Sequence, residues 1–382
     1  MTSVLGRELP RVARVAILCL MAAIPVGYVL KSYSSETKFS GLVFFGSTHF
    51  ERALPQVKVC ELAVTSQYGY DGQFYCQVAT DPLLLNPRAL RTALDIPAYR
   101  ATRIFVPWLA YIGGAGHPCA IVQAYALADV CFWLLLLLGM AHFLQARTAQ
   151  DFLCIFAAVM TSGTLFSLHR SLVDLPAATL AFYAASLSGG GAVAAAVMML
   201  LTKETYVLAL PAVGWPTRKN MGEVAIRLAV VLALPAAWYL YAHLKLGFGA
   251  VDRPNTSWPG AGLADYLGRA WHHWYPNRIL SPRLTQELLA PISLMVQVCH
   301  LLVRRDPKSP YWRMGIGFAF GYLLLSPSVF VDQLSFTRDM IPLALAFNIA
   351  MMKEKGWRFA VWFVTGNIGL CWGLRETLAG LF

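Results

Sequence analysis

The sequence is poor in charge. Only 13% of its 382 residues are Asp, Glu, Lys or Arg, against about 25% in an ordinary soluble domain. Hydrophobic residues make up 57%. That balance excludes the water-soluble classes and points to an integral membrane protein, because apolar runs that approach the ~20 residues of a spanning helix recur from end to end. The signatures of common soluble enzymes are also missing: there is no HExxH, Walker A, GxSxG or Rossmann glycine pattern. The eight cysteines are scattered singly, without CxxC or Cys/His metal spacing. Most read as small apolar residues within helices. Only Cys60 and Cys76 share the first long loop, where a disulfide is allowed but not required by the spacing. No internal repeat or low-complexity linker divides the chain, so residues 1–382 are expected to form one multispanning membrane domain.

What is present is an ordered series of apolar segments. The first, 12–30 after "RELPRVAR", is too long for most signal peptides and is expected to be a retained helix. The formal net charge is +11, yet the basic residues sit in short loops between spans. This is the pattern of the positive-inside rule and gives no support to nucleic-acid binding. Arg7, Arg11 and Arg14, then Arg147, Arg218 with Lys219, the run from Arg304 to Arg313, and Lys353 to Arg358 are assigned to the cytoplasmic side. Further helices are expected near 119–144, 151–168, 172–187, 223–245, 286–303, 311–330, 339–352 and 358–378. A long first external loop covers 31–102 and a second covers 246–285. The stretch "RIFVPWLAYIGG" suits an amphipathic helix along the outer interface. The segment 190–214 holds "TKET" amid apolar residues, which favours a broken or re-entrant pair over one straight span. In "GIGFAFG", Gly315 to Gly321, the glycines suit close helix packing.

With this topology the unusual polar residues gather on one side. Tyr70, Asp71, Gln73, Tyr75, Asp95, Tyr99, Arg100 and Arg103 lie in the first external loop; His169, Arg170 and Asp174 lie at a turn between spans. Lys203 and Glu204 lie at the break, His272, His273 and Arg278 in the second external loop, and Asp332, Arg338 and Asp339 at the last outer turn. Charge beside a bilayer is costly unless it pairs or faces water, so the convergence marks a functional site. Solvated loop charge and interfacial anchoring are the plainer reading, and they suit His272, His273 and Trp274 best. Arg170 with Asp174 at i,i+4, and Lys203 with a nearby acid, are candidate ion pairs. In "YGYDGQFY" the expected local structure is a turn with Gly72 left-handed and Asp71 capping a short helix, on which Tyr75 and Ala79 share a face. A cap requires neither the flanking tyrosines nor Gln73.

The run "YDGQFYCQVATDP" followed by "DIPAYRATRIFVPWLA" resembles the first external loop of a bacterial family of cell-surface glycopolymer formation membrane proteins. That family is similar to the GT-C superfamily of multispanning glycosyltransferases, which includes the PIG-M and PIG-V type mannosyltransferases. "HRSLVDLPAATLAF", "LTKETYVLALPA" and "FTRDMIPLALAFN" match further pieces in order, so the resemblance spans most of the chain. It implies an all-α, GT-C-like bundle of about ten or eleven transmembrane helices, with short amphipathic helices in the first loop. It implies transfer of a sugar from a polyprenyl-phosphate donor to a glycan or lipid acceptor, at the periplasmic face of a bacterial inner membrane with the N-terminus cytoplasmic.

On that resemblance Asp71 occupies the place of the essential acid, although the doubled acidic motif of several GT-C members is absent. A carboxylate in a partly desolvated pocket suits a base that takes the acceptor proton. The lipid phosphate leaving group calls for cations, with Arg338, Lys203, Arg100 and Arg103 as candidates in that order. Tyr70, Gln73 and Tyr75 suit sugar contacts, with Glu204 for sugar hydroxyls or Lys203; His169, Arg170 and Asp174 suit pocket support. No metal or other cofactor is expected, although some GT-C enzymes use a divalent ion. The rival readings are a secondary transporter, for which broken helices and buried charge are also a signature, and a flippase or non-catalytic component of surface-polysaccharide assembly.

Overall fold

The computed structural model describes residues 4–214, 221–248, 255–277 and 282–381, with side chains for all of these but 4, 273–277 and 282–286. Arg218, Lys219 and Arg278, and the side chains of His273 and Trp274, therefore lie outside the described residues. Helix makes up 74% of the chain and strand 3%.

Helix α1 (Arg11–Lys31) leads into the long loop. That loop is built rather than open. A minimal parallel pair, β1 (Phe45–Gly46) with β2 (Val64–Ser66), frames the short helices α2 (Ser47–Phe50) and α3 (Pro55–Lys58). Then come α4 (Gly72–Thr80), α5 (Pro87–Ala93), α6 (Pro97–Thr102) and α7 (Phe105–Gly113). Proline opens α3, α5 and α6, where its missing N–H costs no helical bond. The stretch expected along the membrane interface, α7, packs on α4 and on the long helix α8 (Pro118–Phe143).

The expected span 151–168 is split into α9 (Ala149–Val159) and α10 (Ser162–His169), bent by 51°. Thr148 and Asp151 form a capping box at the start of α9, and Thr161 caps α10. The carbonyl of Val159, freed by the break, accepts the Trp133 indole N–H at 2.8 Å. Helix α11 (Asp174–Ser186) is buried around nearly its whole circumference. It is the central post, touched by α8, α10, α12 (Gly189–Thr202), α16 (Pro310–Leu324) and α18 (Ile341–Met351). After α12 the backbone extends at Lys203 and re-forms as a 3-10 helix over Glu204–Ala212, so the break falls within "TKET".

The remainder comprises α13 (Met221–Leu246), α14 (Ala261–Asn277), α15 (Pro282–Val303) and α17 (Gln333–Asp339), ending in α19 (Gly356–Asn367) and α20 (Trp372–Leu381). Among the described residues α1, α8 and α13 are long and apolar enough to cross a membrane, and α9–α10 adds a fourth if counted as one span. Of the other expected segments, 286–303 falls within the 22-residue α15, and the rest form helices near their expected bounds but short or broken. Helix α18, for example, has 11 residues, about 16 Å of helix against a hydrocarbon core of ~30 Å.

Two local expectations change. The disulfide joins Cys60 to Cys119, while Cys76 is a free thiol on the buried helix α4. The reason is packing: α3 lies on α8, which brings the end of the first to the start of the second. The left-handed residue of the "YGYDG" turn is Gly69, with φ +70°, and not Gly72. Gly72 is a helical residue whose added Cβ would lie 2.3 Å from the Arg170 carbonyl, so it is small because two backbones meet there.

The glycine run of α16 serves close approach as expected: a Cβ at Gly317 would lie 2.0 Å from the Leu208 carbonyl in the 3-10 segment. Gly317→Ala is therefore expected to destabilise the protein by roughly 1–3 kcal/mol through overpacking. A thermal melt of the solubilised variant that matches the parent would show that the two segments separate freely.

Candidate functional site

Asp71 stands at the first position before α4 but does not cap it: its backbone is already helical and its side chain accepts no cap bond. The carboxylate is held instead by arginines from two other segments. Arg100 Nη2 donates to Oδ1 at 2.9 Å, and both terminal nitrogens of Arg338 approach Oδ2 at 3.3 Å. Burial pushes the Asp71 carboxyl up, but the neighbouring Arg100 and Arg338 guanidiniums outweigh it and hold the group well below the usual carboxylate range.

The short helix α6 supplies the layer behind Asp71. Arg100 is 7% exposed at its side chain. It donates from Nε and Nη2 to the two oxygens of Asp95, at 2.8 and 2.7 Å, and from Nη1 to the Tyr75 hydroxyl at 3.0 Å. Arg103, three residues on, grips Glu204 at 2.9 and 2.5 Å, donates to the same Tyr75 oxygen at 2.6 Å and also bonds Tyr99. Two guanidiniums thus share one phenol, which is tolerable in a buried setting because Asp71, Asp95 and Glu204 flank them.

Lys203 completes the network from the break after α12. Its ammonium is shared by Asp174, at 2.5 Å, and Asp339. Arg338 lies 3.9 Å from the second oxygen of Asp174, which links the two clusters. Five carboxylates and four cations, drawn from the first loop, the start of α11, the break and the end of α17, form one connected system. Within it the Arg338 Nε is buried without a hydrogen-bond partner.

One face of the network opens on a cavity of about 250 Å³. Asp71, Arg103, Asp174, Lys203, Arg338 and Asp339 make its ionic wall. Leu208, Phe318, Leu324, Leu325, Val329 and Met340 supply an apolar part of the lining. Such a cavity accepts a ligand with one charged and one apolar part.

The other residues singled out from the sequence occupy distinct places. Tyr70 is half-buried, its ring 5.4 Å from the Arg338 guanidinium and edge-on to Phe166. Gln73 does not reach the cavity: it bridges the turn, accepting from the Gly46 N–H at 3.0 Å and donating to the Tyr68 carbonyl at 2.9 Å. Tyr75 is buried behind Asp71, its hydroxyl occupied by the two arginines. Glu204 is bound to Arg103 rather than Lys203.

The pairing of Arg170 with Asp174 does not form. The chain turns at Ser171, φ +45°, so helical i,i+4 spacing is lost. Arg170 lies instead over the Phe44 ring at 3.5 Å, and Asp174 turns to Lys203. His169 stacks on Tyr28 at 3.8 Å and meets Thr377 at 3.0 Å, away from the cavity lining. His272 is exposed, and Asp332 caps α17 by accepting the Ser335 N–H at 2.8 Å.

Sequence reasoning placed Asp95, Tyr99 and Asp339 in the convergent polar set without a specific task, and it did not single out Asn255, Thr256 or the apolar part of the lining. The acids carried a usable signal, since each cation placed against apolar sequence needs a carboxylate. The apolar lining carried none, because leucine and phenylalanine are everywhere in this chain. Among the described residues no group of three or more His, Cys, Asp or Glu has the geometry to hold a metal ion. Comparison with family models, curated proteins and solved structures gives no match for this chain.

The Asp71 pairing sets a pH dependence. An unfolded aspartate titrates near ~3.9 and the folded group lies below it, so this contribution to stability is full above that value and is lost as pH falls below it. Thermal melts in detergent are expected to drop below about pH 4, and to drop less steeply for Asp71→Asn. Equal slopes for both proteins would show that Asp71 is not the titrating anchor.

Proposed function

We propose that the protein is a membrane glycosyltransferase of GT-C type, which moves a sugar from a polyprenyl-phosphate donor to a glycan or lipid acceptor at the external face. The observation that carries this reading is the junction of Asp71 and Arg338 in a cavity lined by both ionic and apolar side chains. A polyprenyl-phosphate sugar has that division: a charged, hydroxyl-rich head and a long apolar chain. The sequence resemblance, with its bundle of about ten or eleven crossings, supports the same reading. The Cys60–Cys119 disulfide supports placing the first loop on the oxidising side of a bacterial inner membrane.

In this mechanism the acceptor hydroxyl loses its proton to Asp71 as its oxygen bonds to the anomeric carbon. The bond from that carbon to the phosphate oxygen breaks, and the polyprenyl phosphate leaves with the electron pair. The carboxylate is a weak base while two arginines neutralise it. A donor phosphate that draws Arg338 away lifts that restraint, so donor binding activates the base. The proton gained by Asp71 then offsets the charge gained by the leaving phosphate.

Arg338 is the phosphate ligand because its Nε is unused and its contacts to Asp71 are long. Lys203, bound by two carboxylates, and Arg100 and Arg103, each saturated by acids and tyrosine, act as pins that hold the wall in place. Tyr99 and Phe318 are the aromatic residues of the cavity lining that a sugar could meet, while Tyr70 lies beside Arg338 and outside that lining; Gln73 and Tyr75 position the Asp71 turn from behind.

Asp71→Asn is expected to lower transfer by about 10²–10⁴-fold, the usual scale of a general base, with the protein still inserted. Arg338→Gln is expected to weaken donor use, and Arg338→Lys to restore part of it, since a point charge replaces a fork. The measurements are surface-glycan profiling of strains carrying each variant and transfer assays with a polyprenyl-phosphate sugar. An inserted, folded Asp71→Asn protein with an unchanged glycan would sink the reading and favour a flippase or assembly component.

A further inference from the structure

We infer that the chain carries a second binding site, for a phosphate-bearing anion, at the end of the α16–α18 pair remote from Asp71. The inference is independent of the glycosyltransferase reading. Helices α16 and α18 pack together and run between two cavities. The first takes Phe318, Leu324 and Met340; the second, of about 280 Å³, takes Tyr311 and Trp312 from the start of α16, and Ile349 and Ala350 from the end of α18.

Three features of the second cavity select an anion. The first is charge: Arg304, Arg305 and Lys353 line it against two carboxylates, Asp306 and Glu354. The Lys353–Asp306 pair, at 2.9 Å, is open to water, with side chains 71% and 42% exposed, and a pair of that kind is weak and exchanges partners readily. Arg304 forks Glu354 from Nε at 2.8 Å and Nη2 at 3.3 Å, and that carboxylate is 13% exposed. Among the described residues Arg305 reaches no carboxylate; its Nε donates to the Leu302 carbonyl at 3.3 Å.

The second feature is the first turn of α16, a 15-residue helix capped by Ser309, which forms part of the lining. Pro310 has no N–H and those of Trp312 and Arg313 are taken by Ser309, so this helix start offers the Tyr311 N–H and the positive end of the helix dipole, both favourable to phosphate.

The third is a buried ring without a hydrogen bond. The His300 side chain is 1% exposed, and neither of its nitrogens makes a hydrogen bond; the nearest carboxylate oxygen, of Glu354, stands 3.6 Å from Nε2. Phe347 and Trp362 hold the ring edge-on, with centroids 5.2 Å away in each case. An unsatisfied polar group at nine-tenths burial is costly, and here it lines a cavity rimmed by arginine. A phosphate oxygen in the cavity supplies the ring with a hydrogen bond, while Arg305 offers its planar fork and Lys353 its ammonium to the other oxygens.

The same chemistry has two sources, free phosphate and a phospholipid headgroup. An adjoining groove takes Leu144, Pro310, Ile349 and Met352 together with Asp151, Asp306, Lys308 and Lys353, and its apolar part gives an acyl chain a place to lie.

The test uses the full chain in two arms. In neutral detergent, inorganic phosphate is titrated against sodium chloride of matched ionic strength, and the melting temperature is followed. In bilayer discs of phosphatidylcholine with or without phosphatidylglycerol, the lipid retained by the protein is counted by native mass spectrometry. Saturable phosphate binding in detergent assigns the site to free phosphate; selective retention of phosphatidylglycerol alone assigns it to a headgroup. Arg305→Gln, at an exposed position that leaves folding intact, is expected to weaken binding by about tenfold, on the scale of one charge-assisted contact. His300→Phe keeps the ring packing, removes both nitrogens and is expected to weaken it as well. No saturable binding in either arm, or binding unchanged in both variants, overturns the site.

Discussion

Asp71 is tied to Arg100, 29 positions along the chain, and to Arg338, 267 positions along it. On that carboxylate the arrangement of the cavity depends. Removing a charge from water costs several kcal/mol, and attraction to a partner offsets this only when geometry and the remaining hydrogen bonds are good. None of Arg100, Arg103 or Lys203 would be stable at its depth alone. Each has a carboxylate, and the carboxylates come from elements that would otherwise have no reason to meet. The first loop, the break after α12, the start of α11 and the end of α17 are held together by this one requirement.

The breaks in the helices belong to the same account. An unbroken span across "TKET" would turn Lys203 toward whatever its helical face met. The extended backbone at Lys203 turns the ammonium toward Asp174, and the 3-10 segment that follows lies against the glycines of α16. The turn at Ser171 acts likewise, separating Arg170 from Asp174 so that the aspartate is available to Lys203 and Arg338. Irregular backbone is tolerated beside apolar helices where protein groups satisfy it. Here Tyr206 donates to the Asp174 carbonyl at 3.0 Å and Tyr239 to the Leu200 carbonyl at 2.7 Å.

The two ends of the α16–α18 pair show opposite uses of charge. Near Asp71 the ionic groups are largely buried and paired with one another, with the Arg338 Nε left over, which suits a site that must hold geometry. Near His300 the Lys353–Asp306 pair is exposed and loose beside a ring that makes no hydrogen bond, which suits a site that exchanges partners. Burial makes the difference, since the same residue types appear at both ends.

Hydropathy and charge pattern alone settled the all-helical class, the positions of most apolar segments and the break at Lys203, because each of these depends on residues near one another in the chain. They also singled out Asp71, Arg100, Arg103, Lys203, Glu204 and Arg338, since charge set into apolar sequence stands out by itself. Which charge meets which was decided only in three dimensions. Arg170 with Asp174 and Cys60 with Cys76 were reasonable by spacing, yet a positive φ at Ser171 and the packing of α3 on α8 sent each to another partner. Gln73 and Tyr75 looked like ligand contacts for the same reason: spacing does not reveal which face of a nine-residue helix is covered on every side. A sequence records what each residue needs, and tertiary packing determines which neighbour supplies it, because the partners are separated by up to 267 positions and meet only when the chain has closed.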